Sequence, residues 1–206
     1  MVWASKAVKT FYVGVASINN IFKGMILVFL NFNLDIGASR IGLIPSFIGY
    51  YFMLKGLQEI REFSGRFNRI IPLVTGMIVF SCITYILDLF GVTAAAEVDF
   101  FYASASDIMF FMILGLISVL LSLYISYNII FGIKDIEVNK DQSLNSNHLY
   151  STWKLMAVFS ILTFAGLLLI PVLGVIGIII NLVVMVYYLY IFNNTKKLFN
   201  EQNPVL

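Results

Sequence analysis

Between residues 153 and 192 the chain reads WKLMAVFSILTFAGLLLIPVLGVIGIIINLVVMVYYLYIF, a stretch with no charge beyond its second residue. A helix needs about 20 apolar residues to cross a hydrocarbon core of about 30 Å, so this stretch is too long for one crossing. Proline disfavours helix in the preceding residue, which predicts a break between Ile170 and Pro171. We therefore expect two spans, 152–169 and 171–192, joined by a tight turn. The alternative is one kinked crossing followed by a re-entrant segment.

The rest of the chain contains further apolar segments of near-spanning length, separated by polar or charged residues. They lie at 20–36, 42–60, 70–90 and 107–133. Pro45 and Pro72 fall in the first turns of two of these segments, where a missing N–H costs little. The sequence therefore predicts an all-α, polytopic bundle of six spans, arranged as three hairpins within a single membrane domain, 1–206.

The composition supports this prediction. Of the 206 residues 60% are hydrophobic and 12% charged, against about 25% charged in soluble domains. So little polar surface cannot cover a water-exposed globule, and a large soluble helical core is the disfavoured alternative. No charged tail or nucleic-acid-binding motif is present, so the lipid bilayer, not nucleic acid, is the expected surrounding.

The placement of lysine and arginine predicts the orientation. Cytoplasmic loops retain positive charge, and on a six-span topology all the basic residues except Arg40 fall on one side. Both termini are then cytoplasmic, and five spans would place Lys196 and Lys197 outside. The expected location is a bacterial cytoplasmic membrane. Residues 1–19 do not resemble a signal peptide, because their apolar stretch is short, and they suit a helix lying in the membrane interface.

A first group of polar residues surrounds the outer end of the first span. Asn31, Asn33 and Asp35 are spaced two apart, so a regular helix would fan them over different faces. We expect the helix to unwind there, or the outer hairpin to fold back into the membrane, with Asp35 and Arg40 able to pair. The alternative is a polar helix end in the headgroup layer with an ordinary surface ion pair.

Three more polar residues fall at or near membrane depth. Asp88 sits among apolar residues near the end of the third span, and a carboxylate there either lines a polar cavity or reaches the interface. Asp107 begins the fourth span, where a carboxylate faces the positive end of the helix dipole. Asn181 lies in the middle of the sixth span, where we expect its amide to hydrogen-bond to a residue of another helix. A contact with a substrate is the second interpretation.

The fourth span carries a stripe of small residues, Gly115, Ser118, Ser122 and Ser126. The serines are four apart and share one helix face, which favours close approach of another helix. We expect this span to be central to the bundle, or to contact a second copy or another membrane protein. A hydrophilic pore lining ranks lower, because the stripe is narrow.

Catalytic signatures are missing from the sequence. His148 is the only histidine and lies in a polar loop, and Cys82 is the only cysteine. The sequence contains no H-E-x-x-H, G-x-S-x-G or P-loop motif and no Cys/His metal spacing. We expect no catalytic residues, metal or cofactor, and hence no enzyme.

Residues 51–60 and 127–136 match at Tyr, Gly, a polar–acidic pair and Ile. The match suits an internal hairpin repeat, as in many transporters. The alternative is that any helix leaving a membrane shows an interfacial Tyr, a Gly stop and then charge.

The stretch 42–51, GLIPSFIGYY, is followed by Lys55-Gly-Leu57. It resembles a hairpin of uncharacterised polytopic membrane proteins of Gram-positive bacteria, which typically read P-D-F-I-G-Y with a K-G-L-like exit. Ser46 stands where that pattern has Asp, which removes any charge-dependent role of the position. The resemblance covers 20–62 and implies no activity.

Two functions suit these features. The first is a small transporter or transport-associated subunit, since the acidic outer side would attract cations to a vestibule. The second is a non-catalytic scaffold, sensor or accessory subunit, suggested by the short loops and the packing stripe. An intramembrane enzyme ranks third.

Overall fold

The structure, a computed structural model, describes residues 17–30, 33–36, 39–42, 45–90 and 105–202. The described residues form six helices and one two-stranded ribbon. In chain order these are α1 (Ser17–Phe29), β1 (Asn33–Ile36), β2 (Ser39–Gly42), α2 (Ser46–Ile60), α3 (Gly65–Leu89), α4 (Ala105–Asn139), α5 (Ser146–Leu169) and α6 (Pro171–Gln202).

Four of these helices, α3 to α6, are long and apolar enough to cross a membrane. The helical architecture predicted from hydropathy is confirmed at this level. Helix α2 has 15 residues, a length of about 22 Å at 1.5 Å per residue, and α1 is shorter still. The prediction of six crossings therefore stays a prediction for α1 and α2.

The break in the longest apolar stretch lies where the proline predicts it. Helix α5 ends at Leu169, and α6 begins at Pro171. Between them Ile170 adopts φ −143° and ψ 89°, and its N–H donates to the Gly166 carbonyl. The two helices then run antiparallel in close contact, because Gly174 and Gly177 leave room for the α5 backbone and Thr163.

Helices α1 and α2 also pack antiparallel, through glycines. A Cβ on Gly24 would lie 2.5 Å from the Gly49 carbonyl oxygen, and one on Gly56 would lie 2.5 Å from the Ser17 carbonyl oxygen. At the same end of the pair the Ser17 hydroxyl donates to Glu59 at 2.8 Å. The close approach thus depends on glycine at these positions.

The first predicted span, 20–36, is wrong in its second half. Helix α1 ends at Phe29, and residues 33–36 form β1, which pairs antiparallel with β2. Asparagine and aspartate compete for backbone hydrogen bonds and disfavour a helix interior, which accounts for the early end. The ribbon is a local exception in an otherwise helical structure. Residues 1–16, most of the predicted interfacial helix, lie outside the described residues.

Other helix boundaries also differ from the predicted ones. Helix α3 begins five residues before the predicted start at 70, so Pro72 lies inside the helix and not in its first turn. Pro45 directly precedes α2 as its N-cap residue. Both α5 and α6 extend beyond the predicted spans at their polar ends.

The bundle has two distinct ends. We call the end with Pro45 and Ile170 the turn end, and the end with the turn at 61–63 and the loop at 140–145 the loop end. The largest fully buried side chains lie in the loop-end half: Phe67, Tyr188, Phe192 and Phe199. There the Phe67 ring lies directly on Gly132, where a Cβ would overlap it. Near the turn end, small hydroxyl-bearing side chains leave space between the helices.

Candidate functional site

A cavity of about 460 Å³ lies in the turn-end half of the bundle, and all six described helices contribute to its wall. Sites for small molecules typically have volumes of about 300–1,000 Å³. Ten of the described lining residues carry a hydroxyl or an amide: Ser46, Tyr50, Ser81, Thr84, Tyr85, Ser118, Ser122, Ser160, Thr163 and Asn181. None of the described lining residues carries a charged side chain. The described part of the wall is therefore polar and uncharged.

Asn181 lies at the wall of this cavity and joins two helices. The Ser160 hydroxyl donates to Asn181 Oδ1 at 3.1 Å, a bond between α5 and α6. The sequence left two interpretations open for this amide, an interhelical contact and a substrate contact. The geometry suits both, because Asn181 bonds α5 and also lines the cavity.

Thr163 is the most unusual polar residue of the wall. Its exposed fraction is 8%, and its hydroxyl makes no hydrogen bond to any described residue. A buried donor or acceptor without a partner costs about 1–3 kcal/mol. The oxygen has almost no accessible surface and lies against Gly177 of α6, so the missing partner belongs to the α5–α6 contact and not to the open space of the cavity.

The serine stripe of α4 is divided between two roles. Ser118 and Ser122 line the cavity, and Ser122 hydrogen-bonds to Tyr50 of α2. Ser126 is buried, accepts a hydrogen bond from Trp153 Nε1 at 2.9 Å and donates to the Leu123 carbonyl. The sequence favoured helix packing as the role of this stripe and ranked a hydrophilic lining lower. In the structure Ser126 packs between helices, whereas Ser118 and Ser122 line the polar cavity.

Gly115, the remaining residue of that stripe, and Asn128, a buried amide lower in α4, lie outside the cavity wall. Gly115 faces Phe164 of α5, whose ring would lie 3.8 Å from a Cβ at that position. Asn128 is buried, and its amide donates to the Tyr124 carbonyl of its own helix at 2.9 Å. Both residues have packing roles within the described part of the structure.

The predicted acidic candidates are known only at the level of the backbone. In the ribbon Asp35 is the direct partner of Arg40, and Asn33 is the partner of Gly42. Asp88 lies in the last turn of α3 and Asp107 in the first turn of α4. The side chains of all these residues, and the whole of Asn31, lie outside the described part of the chain.

At the loop end, charged side chains hold the connection between α4 and α5. The Glu137 carboxylate accepts hydrogen bonds from the N–H groups of Leu144, Asn145 and Ser146, and from the Ser146 hydroxyl. Asn145 has a φ of 62°, a left-handed conformation that asparagine tolerates. The carboxylate thus caps the start of α5.

Basic side chains at the loop end lie over aromatic rings. The Arg66 guanidinium lies 5.1 Å from the Phe131 ring centre and 3.4 Å from Asp135. Lys140 Nζ lies 4.3 Å from the Phe63 ring centre, and burial lowers the pKa of Lys140. These contacts resemble structural cation–π pairs.

No group of potential metal ligands occurs among the described residues. His148 is exposed in the first turn of α5. Within the described part of the chain, the turn-end cavity is therefore the stronger candidate site.

Most of the cavity residues were not singled out in the sequence. Ser81 with Thr84, and Ser160 with Thr163, are three residues apart, which places each pair on one helix face. Together with Ser118 and Ser122, which are four apart, they give three consecutive apolar helices a hydroxyl pair within one turn, and this was the available signal. Which way each pair faces depends on the rotation of its helix.

The chain matches no protein-family model, and no curated protein or solved structure matches it significantly. The resemblance at 42–51 stays a prediction.

Proposed function

We propose that this chain is a small multi-pass transporter, or a transport-associated subunit, of a bacterial cytoplasmic membrane, and that the turn-end cavity binds its solute. The observation that carries this proposal is the cavity walled by all six described helices, half of whose described lining residues carry a hydroxyl or an amide. Polar groups are costly inside an apolar bundle unless they find partners. Their concentration around one cavity suits a solute site better than scattered helix–helix contacts.

The proposed topology is the one predicted from the placement of lysine and arginine. Six crossings with both termini in the cytoplasm make the loop end cytoplasmic and the turn end external. Helices α1 and α2 are short for a full crossing, and local bilayer thinning accommodates short helices at modest cost. On this topology the cavity lies in the outer half of the membrane. We assign no catalytic group and no cofactor to it.

The single cysteine of the chain makes the test direct. In a Cys82→Ser background, a cysteine introduced as Ser122→Cys lies in the cavity wall, whereas one introduced as Ser126→Cys, one helical turn away, is buried against Trp153. We expect a membrane-impermeant thiol reagent to modify Ser122→Cys at least about tenfold faster than Ser126→Cys, since modification requires solvent access.

The reagent is applied to right-side-out and to inverted vesicles, because a transporter can rest open to either side. Reaction of Ser122→Cys from one side supports a solute-accessible cavity. If Ser122→Cys resists the reagent from both sides while Ile170→Cys, on the exposed turn, reacts, the proposed function is wrong.

A second candidate function is a non-catalytic scaffold, sensor or accessory subunit. It is favoured by the exposed apolar surface of the bundle, including a stripe on α4 formed by Ile113, Ile117, Leu120 and Tyr124. Since Ser118 and Ser122 face the chain's own cavity, a partner or second copy on α4 would contact this stripe. Co-purification of a stoichiometric membrane partner that is lost in Ile117→Ser/Leu120→Ser would favour this function.

A further inference from the structure

We propose that a group of three lysines at the loop end binds the phosphate headgroup of an anionic phospholipid such as phosphatidylglycerol. The group consists of Lys23 on α1 and of Lys196 and Lys197 on α6, and we call it the lysine site. The inference is independent of the solute cavity, which lies in the other half of the bundle, and requires only that α6 crosses the bilayer. Four observations carry it: the depth of the lysines, their arrangement, their lack of ion pairs with described residues, and an apolar helix face that leads to them.

The first observation concerns the depth of these lysines. Lys196 follows Pro171, at the turn end of α6, by 25 residues. At 1.5 Å per residue this is about 37 Å along the helix axis, more than the hydrocarbon core of about 30 Å. With the turn end at one surface of the core, Lys196 therefore lies in the headgroup layer of the opposite leaflet. Lys23 reaches a similar level, because the ring of its neighbour Phe22 packs on Phe192, one turn before Lys196.

The second observation concerns the arrangement of the three ammonium groups. Lys196 is partly buried, and its Nζ lies 4.4 Å from the centre of the Phe22 ring. That ring stacks on Phe192 at 5.9 Å, so residues of two helices hold Lys196 in place. Lys23 and Lys197 are exposed, and both are close enough to act electrostatically on Lys196. The three like charges repel one another, and a phosphate bound among them would offset that repulsion.

The third observation is that no ion pair neutralises the lysine site within the described part of the chain. None of the three lysines pairs with a described carboxylate, whereas Arg66 at the same end of the bundle pairs with Asp135. Glu201, one turn beyond the site on α6, also makes no ion pair with a described residue. The segments 1–16 and 203–206, which lie outside the described residues, contain no aspartate or glutamate. A ligand is therefore the available source of balancing negative charge.

The fourth observation is an exposed apolar face that leads along α6 to Lys197. Val183, Tyr187 and Tyr190 precede it at helical spacing, with exposed fractions of 65%, 45% and 60%. Residues seven apart, such as Val183, Tyr190 and Lys197, share one face of a helix. Acyl chains that follow this face bring the phosphate of their lipid to Lys197, whereas a soluble phosphate would gain nothing from it. A lipid is therefore the expected occupant of the lysine site.

A general excess of positive charge at the loop end is the alternative explanation. Cytoplasmic loops retain lysine and arginine, and basic residues near a membrane surface attract anionic lipids wherever they lie. Such attraction depends on how many charges are present and not on their positions. A built site depends instead on these three lysines. The two explanations are separated by variants that lose the same number of charges at different positions.

The test is equilibrium binding of radiolabelled phosphatidylglycerol and phosphatidylcholine, both with short acyl chains, to the purified full-length chain in a non-ionic detergent. We expect phosphatidylglycerol to bind at least about tenfold more tightly than phosphatidylcholine, since only the former carries a net negative charge. In Lys23→Gln/Lys196→Gln/Lys197→Gln the affinity for phosphatidylglycerol should fall at least about tenfold, because the charges that contact the phosphate are gone. Replacement of the same three lysines by arginine should retain binding, since arginine also binds phosphate.

The matched control removes three charges elsewhere at the same end of the bundle. It is Arg61→Gln/Arg69→Gln/Lys154→Gln, whose residues are exposed and lie directly after α2, on α3 and on α5. Its affinity for phosphatidylglycerol should equal that of the unaltered chain.

Each contrary outcome overturns the proposal in its own way. The absence of a preference for phosphatidylglycerol, or an equal loss in both triple variants, would leave only general electrostatic attraction. Displacement of the lipid by millimolar inorganic phosphate would make the occupant a free anion and not a lipid. A thermal unfolding measurement identifies a folding defect, and Lys23→Gln/Lys197→Gln, at two exposed positions, decides the matter if the triple variant unfolds. None of these results bears on the accessibility of Ser122→Cys, which tests the proposed function separately.

Discussion

At the scale of single residues, the glycines of the α1–α2 contact allow the two helix backbones to approach more closely than any residue with a side chain would permit. The backbones of the two helices approach so closely at Gly24, Gly49 and Gly56 that a Cβ would meet a carbonyl oxygen. Backbone atoms cannot rotate away as a flexible side chain can, so the helices themselves would have to separate. By contrast Gly76, inside α3, has nothing within 4 Å of its Cβ position.

These two kinds of glycine predict opposite effects of one substitution. Gly56→Ala should destabilise the fold by about 1–3 kcal/mol, since it overpacks a backbone contact. Gly76→Ala should stabilise it by about 0.5–1 kcal/mol, because alanine loses less backbone entropy in a helix. The measurement is equilibrium unfolding of the two variants in the same detergent. A neutral Gly56→Ala would contradict the close approach of α1 and α2.

At the scale of elements, one carboxylate organises the connection between α4 and α5. Glu137, near the end of α4, accepts the N–H groups that begin α5. These groups have no partner within the helix, and a carboxylate also interacts favourably with the positive end of the helix dipole. A side chain of one helix thus determines where the next helix begins.

Removing this cap should loosen the loop without affecting the cavity. Glu137→Ala should lower the free energy of unfolding by about 2–3 kcal/mol, since charged hydrogen bonds to a partly buried group are lost. Hydrogen exchange should accelerate at the amides of Leu144 and Ser146. Glu201→Ala, at an exposed carboxylate, is the control and should change neither quantity. Unchanged exchange in Glu137→Ala would mean that the loop is held by other contacts.

At the scale of elements the sequence also predicted most helix positions. Length and hydropathy located α3 to α6, and Pro171 located the turn, because these signals act over one or two helical turns. The ribbon at 33–42 was missed, although a spacing of two, as in Asn31-x-Asn33-x-Asp35, is the period of a strand. The residues of α1 that precede this stretch are apolar, and for that reason the predicted helical span was continued through it.

At the scale of the whole molecule, tight packing at one end and a polar cavity at the other divide the bundle. Large side chains such as Phe67 and Phe199 fill the loop end, and hydroxyl-bearing residues leave space near the turn end. The α5–α6 hairpin joins the two ends, with Gln202 bonded to Ser143 and Ser160 bonded to Asn181. Its exposed face is apolar, with Leu162 58% and Val183 65% exposed.

The proposed orientation predicts which end of this hairpin meets which side of the membrane. In the Cys82→Ser background, Ile170→Cys should react with an impermeant thiol reagent in intact cells. Ser143→Cys, exposed in the loop at the other end, should react only after the cells are opened. Labelling of both positions from one side would mean that the hairpin does not cross, and reversed labelling would invert the topology.

The sequence by itself determined the helical class, the helices of spanning length and the turn at Pro171, because these depend on local composition and on the geometry of a single residue. Only the tertiary structure decided that Ser81, Ser122, Thr163 and Asn181 meet around one cavity. These residues are up to 100 positions apart in the chain. Their meeting depends on how each helix rotates about its axis, and contacts such as Phe67 on Gly132 and Gly24 on Gly49 set that rotation.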